Sequence, residues 1–194
     1  MARKQNRRKA SPAAAILTVL VLAALFVWRM LSPEDGKTQI TLPSGELHVW
    51  FLDVGQADSS LLVCDGQAML IDGGNVDDAS YVVSSLEQYG VTSLDYVINT
   101  HCDEDHVGSL AGVLAKFPAE HVWSSTAEYG TKAFSNFVKY ANEQGRAIEI
   151  PSPGDTFTLG EAEITVLGPL RDYENNNENS IVLRVDYGET SFLF

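Results

Sequence analysis

Between Thr100 and Gly108 the chain reads His-Cys-Asp-Glu-Asp-His, and no other stretch restricts its folding as tightly. An apolar run, Tyr96 to Asn99, precedes the segment and a helical pattern follows from Val107, so it reads as a strand-to-helix loop. In an extended loop His101, Asp103 and Asp105 alternate onto one side, while Cys102 and Glu104 point to the other and His106 swings in as the helix begins. Two imidazoles and two carboxylates then converge. Close carboxylates repel, and one is pushed toward protonation unless a cation offsets the conflict. A divalent ion does so, and lowers the pKa of bound water to about 7. The plain alternative is a solvated acidic turn at a helix N-terminus, where Asp is favourable in any case.

The remaining chain sets the context for that loop. At 194 residues it holds one sizeable domain with a short extension, and 45% hydrophobic and 20% charged side chains suit a packed core. The net charge of -13 is unevenly spread. Of 13 Lys and Arg, six lie in the first 32 residues (Arg3, Lys4, Arg7, Arg8, Lys9 and Arg29) with no acid among them, leaving seven against 26 Asp and Glu. A body that acidic offers no broad phosphate-gripping surface, so chemistry on nucleic acid or another phosphoester would be local and metal-assisted.

The basic tail at residues 1–12 leads into an apolar run over 13–31, which at 1.5 Å per residue reaches about 28 Å, close to the hydrocarbon thickness of a bilayer. It reads as an uncleaved transmembrane anchor, with Arg29 reaching the interface beside Trp28 and the basic tail in the cytoplasm. The rival is a cleaved secretory signal. The run ends in Leu25-Phe26-Val27-Trp28, which lacks the small residues of a cleavage site. Residues 32–45 read as a polar linker, and a domain over 46–194 is expected on the outer face of the membrane.

Within that domain, strands are expected at Leu47–Leu52, Ser60–Cys64 and Ala68–Ile71, with Asp65-Gly66 as the turn joining the last two. A helix with Val82, Val83, Leu86 and Tyr89 on one face runs from Asp77 or Asp78 to Gly90. A strand at Tyr96–Asn99, a helix over Val107–Phe117, a strand at His121–Trp123 and a helix over Lys132–Asn142 follow. Phe157–Leu159, Ile164–Leu167, Ile181–Val185 and Ser191 onward form a second β-rich half. Cys64 and Cys102 match no zinc spacing, and they lie on different elements without a cue for a disulfide.

Taken together, these segments carry a resemblance. His101-Cys102-Asp103-Glu104-Asp105-His106 resembles the HxHxDH signature of the metallo-β-lactamase fold, in the HxDxDH form of the extracytoplasmic hydrolase domain of ComEC-type competence proteins. The stretch from Phe51 to Ser59 is similar to the family's LDVGQGDS opening, with Ala57 where a glycine stands; Leu70 to Gly74 is similar to its IDGG strand end. Asn177-Glu178-Asn179-Ser180-Ile181-Val182-Leu183 is similar to its N-x-N-S-x-V-L segment. The implied fold is an α/β class, four-layer αβ/βα sandwich.

The resemblance implies His101 and Asp103 as ligands of one ion and Asp105 and His106 of a second, with Asp105 also orienting the attacking water. It gives Asp72 a supporting role, hydrogen-bonding the metal loop, and sets Asp58, Asn179 and Ser180 beside the ions. Asp103 stands where the zinc hydrolases of this fold carry His, and its harder oxygen moves the expected cofactor from zinc alone to zinc or manganese. In the family the final strand continues into a T-G-D segment and a later His, so this chain is expected to be C-terminally truncated. The expected activity is a metal-dependent hydrolase acting on phosphodiesters, with nucleic acid as partner. A cell-envelope phosphoester of choline-phosphate type, or an inactive surface module keeping the fold, are the alternatives.

Overall fold

The computed structural model describes residues 44–194, together with Val21. The basic tail, the apolar run over 13–31 and residues 32–43 of the linker lie outside the described residues. Among the described residues no helix is long and apolar enough to cross a membrane.

The domain is built on two sheets. β1 (Leu47–Phe51), β2 (Ser60–Cys64), β3 (Gln67–Ile71), β4 (Leu94–Asn99) and β5 (Ala119–Ser124) form a five-stranded mixed sheet in chain order. β1, β2 and β3 pair antiparallel, whereas β3, β4 and β5 run parallel. β6 (Thr156–Leu159), β7 (Ala162–Gly168), β8 (Val182–Tyr187) and β9 (Thr190–Leu193) form an antiparallel sheet of four. The helices α1 (Ala79–Gln88), α2 (Glu104–Val107), α3 (Leu110–Lys116) and α4 (Lys132–Glu143) all fall between β3 and β6 in the chain.

Strand β2 shows why the layers stack. All five of its residues are buried, because both of its faces are covered. Leu61 and Val63 face the helices, in a core shared with Val82, Leu86, Val113, Phe134 and Phe137. Leu62 and Cys64 face the second sheet, in a core shared with Met69, Ile98, Ile164, Leu183 and Val185. Three layers result: helices, mixed sheet, antiparallel sheet. The expected fourth layer, a helical cover beyond the second sheet, is absent among the described residues, since residues 156–194 carry short strands, turns and a single 3-10 turn at Asn177–Asn179.

The helix expected over Val107–Phe117 is two helices, α2 and α3. Gly108 packs so closely on the turn at Asn75 and Val76 that a β-carbon would sit 2.4 Å from the Val76 nitrogen. The Ser109 hydroxyl donates to the Asn75 carbonyl at 2.5 Å, pinning the break. This contact locks the loop after β3 to the loop after β4. The register does the rest, placing Phe51, Ser60, Ile71 and Ile98 side by side on one edge of the mixed sheet. Loops leaving that edge are neighbours, the arrangement in which α/β sheets place their sites.

Candidate metal centre

Asp72 organises the loops at that edge. It is 3% exposed and adopts φ 58°, a left-handed conformation that Asp tolerates better than most residues. That backbone turns its carboxylate toward the end of β4, where Oδ1 accepts the Thr100 N–H at 2.7 Å and Oδ2 accepts the Thr100 hydroxyl at 2.6 Å. Oδ2 also accepts from Nδ1 of His106 at 2.8 Å. Backbone bonds from Asp72 to Ile98, Gly73 to His106, Asp58 to Asp105 and Gly74 to Asp58 tie the three loops together, and the Ile181 N–H donates to the Thr100 carbonyl from the start of β8.

One carboxylate thereby sets both imidazole tautomers. An ionised carboxylate only accepts, so the neutral His106 ring carries its proton on Nδ1 and leaves a lone pair on Nε2. The Thr100 hydroxyl has committed its proton to Asp72, so it can only accept from Nδ1 of His101, 3.3 Å away. His101 then also presents a lone pair at Nε2. The two rings lie with centroids 3.9 Å apart.

Both lone pairs face carboxylates. Nε2 of His101 is 3.6 Å from Oδ2 of Asp103, and Nε2 of His106 is 3.6 Å from Oδ2 of Asp58 and 4.0 Å from Oδ2 of Asp105. A lone pair against an anionic oxygen is repulsive unless positive charge lies between them. Two donors each about 2.1 Å from a shared ion at a tetrahedral angle stand about 3.4 Å apart, so the two 3.6 Å spacings fit divalent-cation ligation, and the 4.0 Å spacing to Asp105 is wider than that. The donors approach as pairs. Among the described residues no set of three His, Cys, Asp or Glu side chains is gathered to hold an ion.

The environment divides the two histidines electrically. Burial, and then the charge of His106, lower the pKa of His101 from 6.5 despite Asp72, Asp103 and Asp105, which keeps its ligand form neutral. Burial also pushes His106 down, but the hydrogen bond and charge of Asp72, with Asp105 and Asp58, outweigh it and raise its pKa from 6.5. The rings border a cavity of about 340 Å³ whose wall includes Phe51, Asp58, Ser180, Ile181 and Val182.

The model of the Metallo-beta-lactamase superfamily matches residues 52–194. The chain belongs to the metallo-β-lactamase superfamily. ComE operon protein 3 of Bacillus subtilis is 24% identical over 192 residues, covering 89% of this chain and 23% of that protein. Recombination protein 2 of Haemophilus influenzae is 27% identical over 164 residues, covering 80% of this chain and 18% of its own length. Competence protein ComA of Neisseria gonorrhoeae is 30% identical over 112 residues, covering 57% of this chain and 15% of its own length. The match thus spans less than a quarter of each of these relatives. Among solved structures, the metallo-β-lactamase SMB-1 bound to 2-mercaptoethanesulfonate superposes with a TM-score of 0.56 at 17% identity, covering 81% of this chain and 65% of that one. A HARLDQ-motif mutant enzyme of Cronobacter sakazakii gives 0.55 at 18% identity, covering 75% and 58%. These structures share the superfamily's fold.

Within that superfamily frame, His101, Asp103, Asp105, His106, Asp58 and Asp72 come from three loops at one edge. Asn179 is occupied elsewhere: its amide oxygen accepts the Tyr173 N–H and its amide nitrogen donates to the carbonyls of Tyr173 and Asn175, closing the loop before β8. Ser180 lines the cavity, with its hydroxyl donating to the Asn177 carbonyl at 2.7 Å. Cys102 is buried with its sulfur toward Asn99 and Ser124, and both cysteines are free thiols. Sequence reasoning missed three contributors. Thr100 adjoins the motif, and its hydroxyl at a strand end was a usable signal. Tyr129 and Asn176, which reach Asp103, carry no spacing cue.

Proposed function

We propose that the chain is a metal-dependent hydrolase that cleaves phosphodiesters, with nucleic acid as the substrate class, at the cavity bordered by His101 and His106. The observation that carries this reading is the pair of Nε2 lone pairs, fixed by Asp72 and Thr100 and aimed at Asp103, Asp58 and Asp105. Superfamily membership supports it, since members are typically metal-dependent hydrolases. The competence and recombination proteins among the relatives favour nucleic acid as substrate.

In this reading His101 and Asp103 hold one divalent ion, zinc or manganese, and His106 with Asp105 holds a second, Asp58 facing it. Bound there, the ions supply Lewis acidity to a phosphoryl oxygen and acidify water. Asp72 keeps both Nδ1 positions protonated, so neither ring can rotate or exchange tautomers without breaking a buried bond. Asp105, whose side chain is 43% exposed, orients the attacking water and accepts its proton through the carboxylate oxygen that does not face the ion. Phe51, Ile181 and Val182 give one side of the cavity an apolar lining. The apolar run over 13–31 behind its basic tail would hold this domain outside the membrane, and protease shaving of intact cells should then release a fragment beginning between Ser32 and Ser44.

The deciding experiment reconstitutes the purified 194-residue chain with manganese or zinc after chelation, then follows cleavage of bis(4-nitrophenyl) phosphate and single-stranded DNA. Cleavage should vanish on chelation, return with metal, and fall by about 100-fold or more in Asp105→Asn. Equal cleavage by chelated protein, or by that variant, would overturn the mechanism. Metal binding without any cleavage would favour the inactive module.

A further inference from the structure

The carboxylate of Asp103 is held by two residues that no motif assigns. Asp103 stands at the N-cap of α2 with extended backbone, φ -69° and ψ 151°, yet its side chain makes no capping hydrogen bond. An N-cap Asp normally satisfies a free backbone N–H there, a bond worth about 1 kcal/mol. Here the carboxylate turns away from the helix. Its Oδ1 accepts from the Asn176 amide nitrogen at 2.8 Å and from the Tyr129 hydroxyl at 3.4 Å. Its Oδ2 is the atom left facing Nε2 of His101 at 3.6 Å. The two donors come from different loops, Tyr129 between β5 and α4 and Asn176 between β7 and β8. Each is braced in turn: Tyr129 packs edge-on against Phe134, and the loop of Asn176 is closed by Asn179.

We infer that Asn176 and Tyr129 are positioning residues that hold Asp103 as a single-oxygen ligand, saturating Oδ1 and presenting Oδ2 beside His101. This inference rests on the metal-dependent reading of the site. Asp is shorter than the His of related enzymes and has two equivalent oxygens, so an unrestrained carboxylate would rotate, cap α2 or bind through both oxygens. Neutral donors on Oδ1 remove those options without adding charge. Outer groups of this kind change metal affinity by about 10 to 100-fold when lost.

The test is calorimetric titration of manganese and of zinc into the 194-residue chain and its variants. Asn176→Ala should weaken one of two binding events by about 10 to 100-fold and leave the other within about threefold, with the thermal midpoint of the metal-free protein unchanged. Tyr129→Phe should act in the same direction and less, given its longer contact, and Asn176→Asp covers the case of an alanine variant that does not fold. In an Asp103→Asn background, Asn176→Ala should have no further effect, because its influence runs through that carboxylate. The inference is overturned if Asn176→Ala and Asn176→Asp bind as wild type, or if the loss is equal in the Asp103→Asn background. It is also overturned if both events weaken together with a lowered metal-free midpoint, which would mark a loop-folding role only. Wild-type protein that binds neither ion would overturn the metal reading itself, a result distinct from normal binding by the variants.

Discussion

The floor of the candidate metal centre and its rim are built in opposite ways. On the floor, the side chains of Asp72, His101 and His106 are 4%, 7% and 15% exposed, and Asp72 spends both oxygens on three donors. On the rim, the side chains of Asp103, Asp105 and Asp58 are 40%, 43% and 76% exposed. Folding alone fixes the floor, since breaking it leaves buried donors without acceptors. The rim carboxylates face Nε2 of His101 and His106 from the solvent side at 3.6–4.0 Å, so folding gains little from them. Stability and metal affinity should therefore separate across this boundary, with floor substitutions costing both and rim substitutions costing affinity alone.

The largest expected effect is at Asp72. Asp72→Ala strips the acceptor from the Thr100 N–H, the Thr100 hydroxyl and Nδ1 of His106. Urea denaturation of metal-free protein should show a loss of about 2–4 kcal/mol, and metal affinity should fall as well. Gly108→Ala comes next: a β-carbon 2.4 Å from the Val76 nitrogen forces the loops after β3 and β4 apart, for about 1–3 kcal/mol by the same measurement. Asp58→Asn is the contrasting rim change. Its metal-free stability should stay within about 0.5 kcal/mol of wild type, while metal affinity drops by about tenfold or more. A large stability loss there would erase the distinction between floor and rim.

A smaller effect sharpens the comparison within the floor. His106 has a raised pKa in the fold, so in metal-free protein its contribution is complete below about pH 6.5 and is lost as pH rises through the raised folded value. His101 has a lowered pKa, so its contribution is present above about pH 6.5 and is lost as pH falls through the folded value. The deficit in thermal midpoint of His106→Gln relative to wild type should shrink from about pH 5.5 to about pH 8.5, whereas that of His101→Gln should grow. Parallel curves would mean that the two rings share one environment.

Much of this was legible in the sequence because it is local. The apolar run at Ser60–Cys64 marked a strand, which the fold covers on both faces, and Asp65-Gly66 marked its turn, where both residues adopt positive φ, 50° and 82°. The crowding of His101, Asp103, Asp105 and His106 marked the loop. Features that depend on distant packing were not legible. The break between α2 and α3 comes from a contact between Gly108 and Asn75–Val76, which apolar periodicity does not register. Asn176 sits in a run of three asparagines, and nothing local separates it from Asn175 or Asn177. Only the closing of two loops brings it and Tyr129 to a carboxylate 73 and 26 residues away. The second sheet was read from its alternation, although β7 begins at Ala162 and its pairing with β8 shifts register between Val166 and Gly168.

Metal stoichiometry tests the central claim most directly. The claim is that His101 with Asp103 and His106 with Asp105 form two adjacent cation sites on a floor set by Asp72. Elemental analysis of the 194-residue chain, after saturation with zinc or manganese and removal of free ion, should give about two ions for wild type and about one each for His101→Ala and His106→Ala. Unchanged stoichiometry in either variant, or no retained metal in wild type, would contradict it.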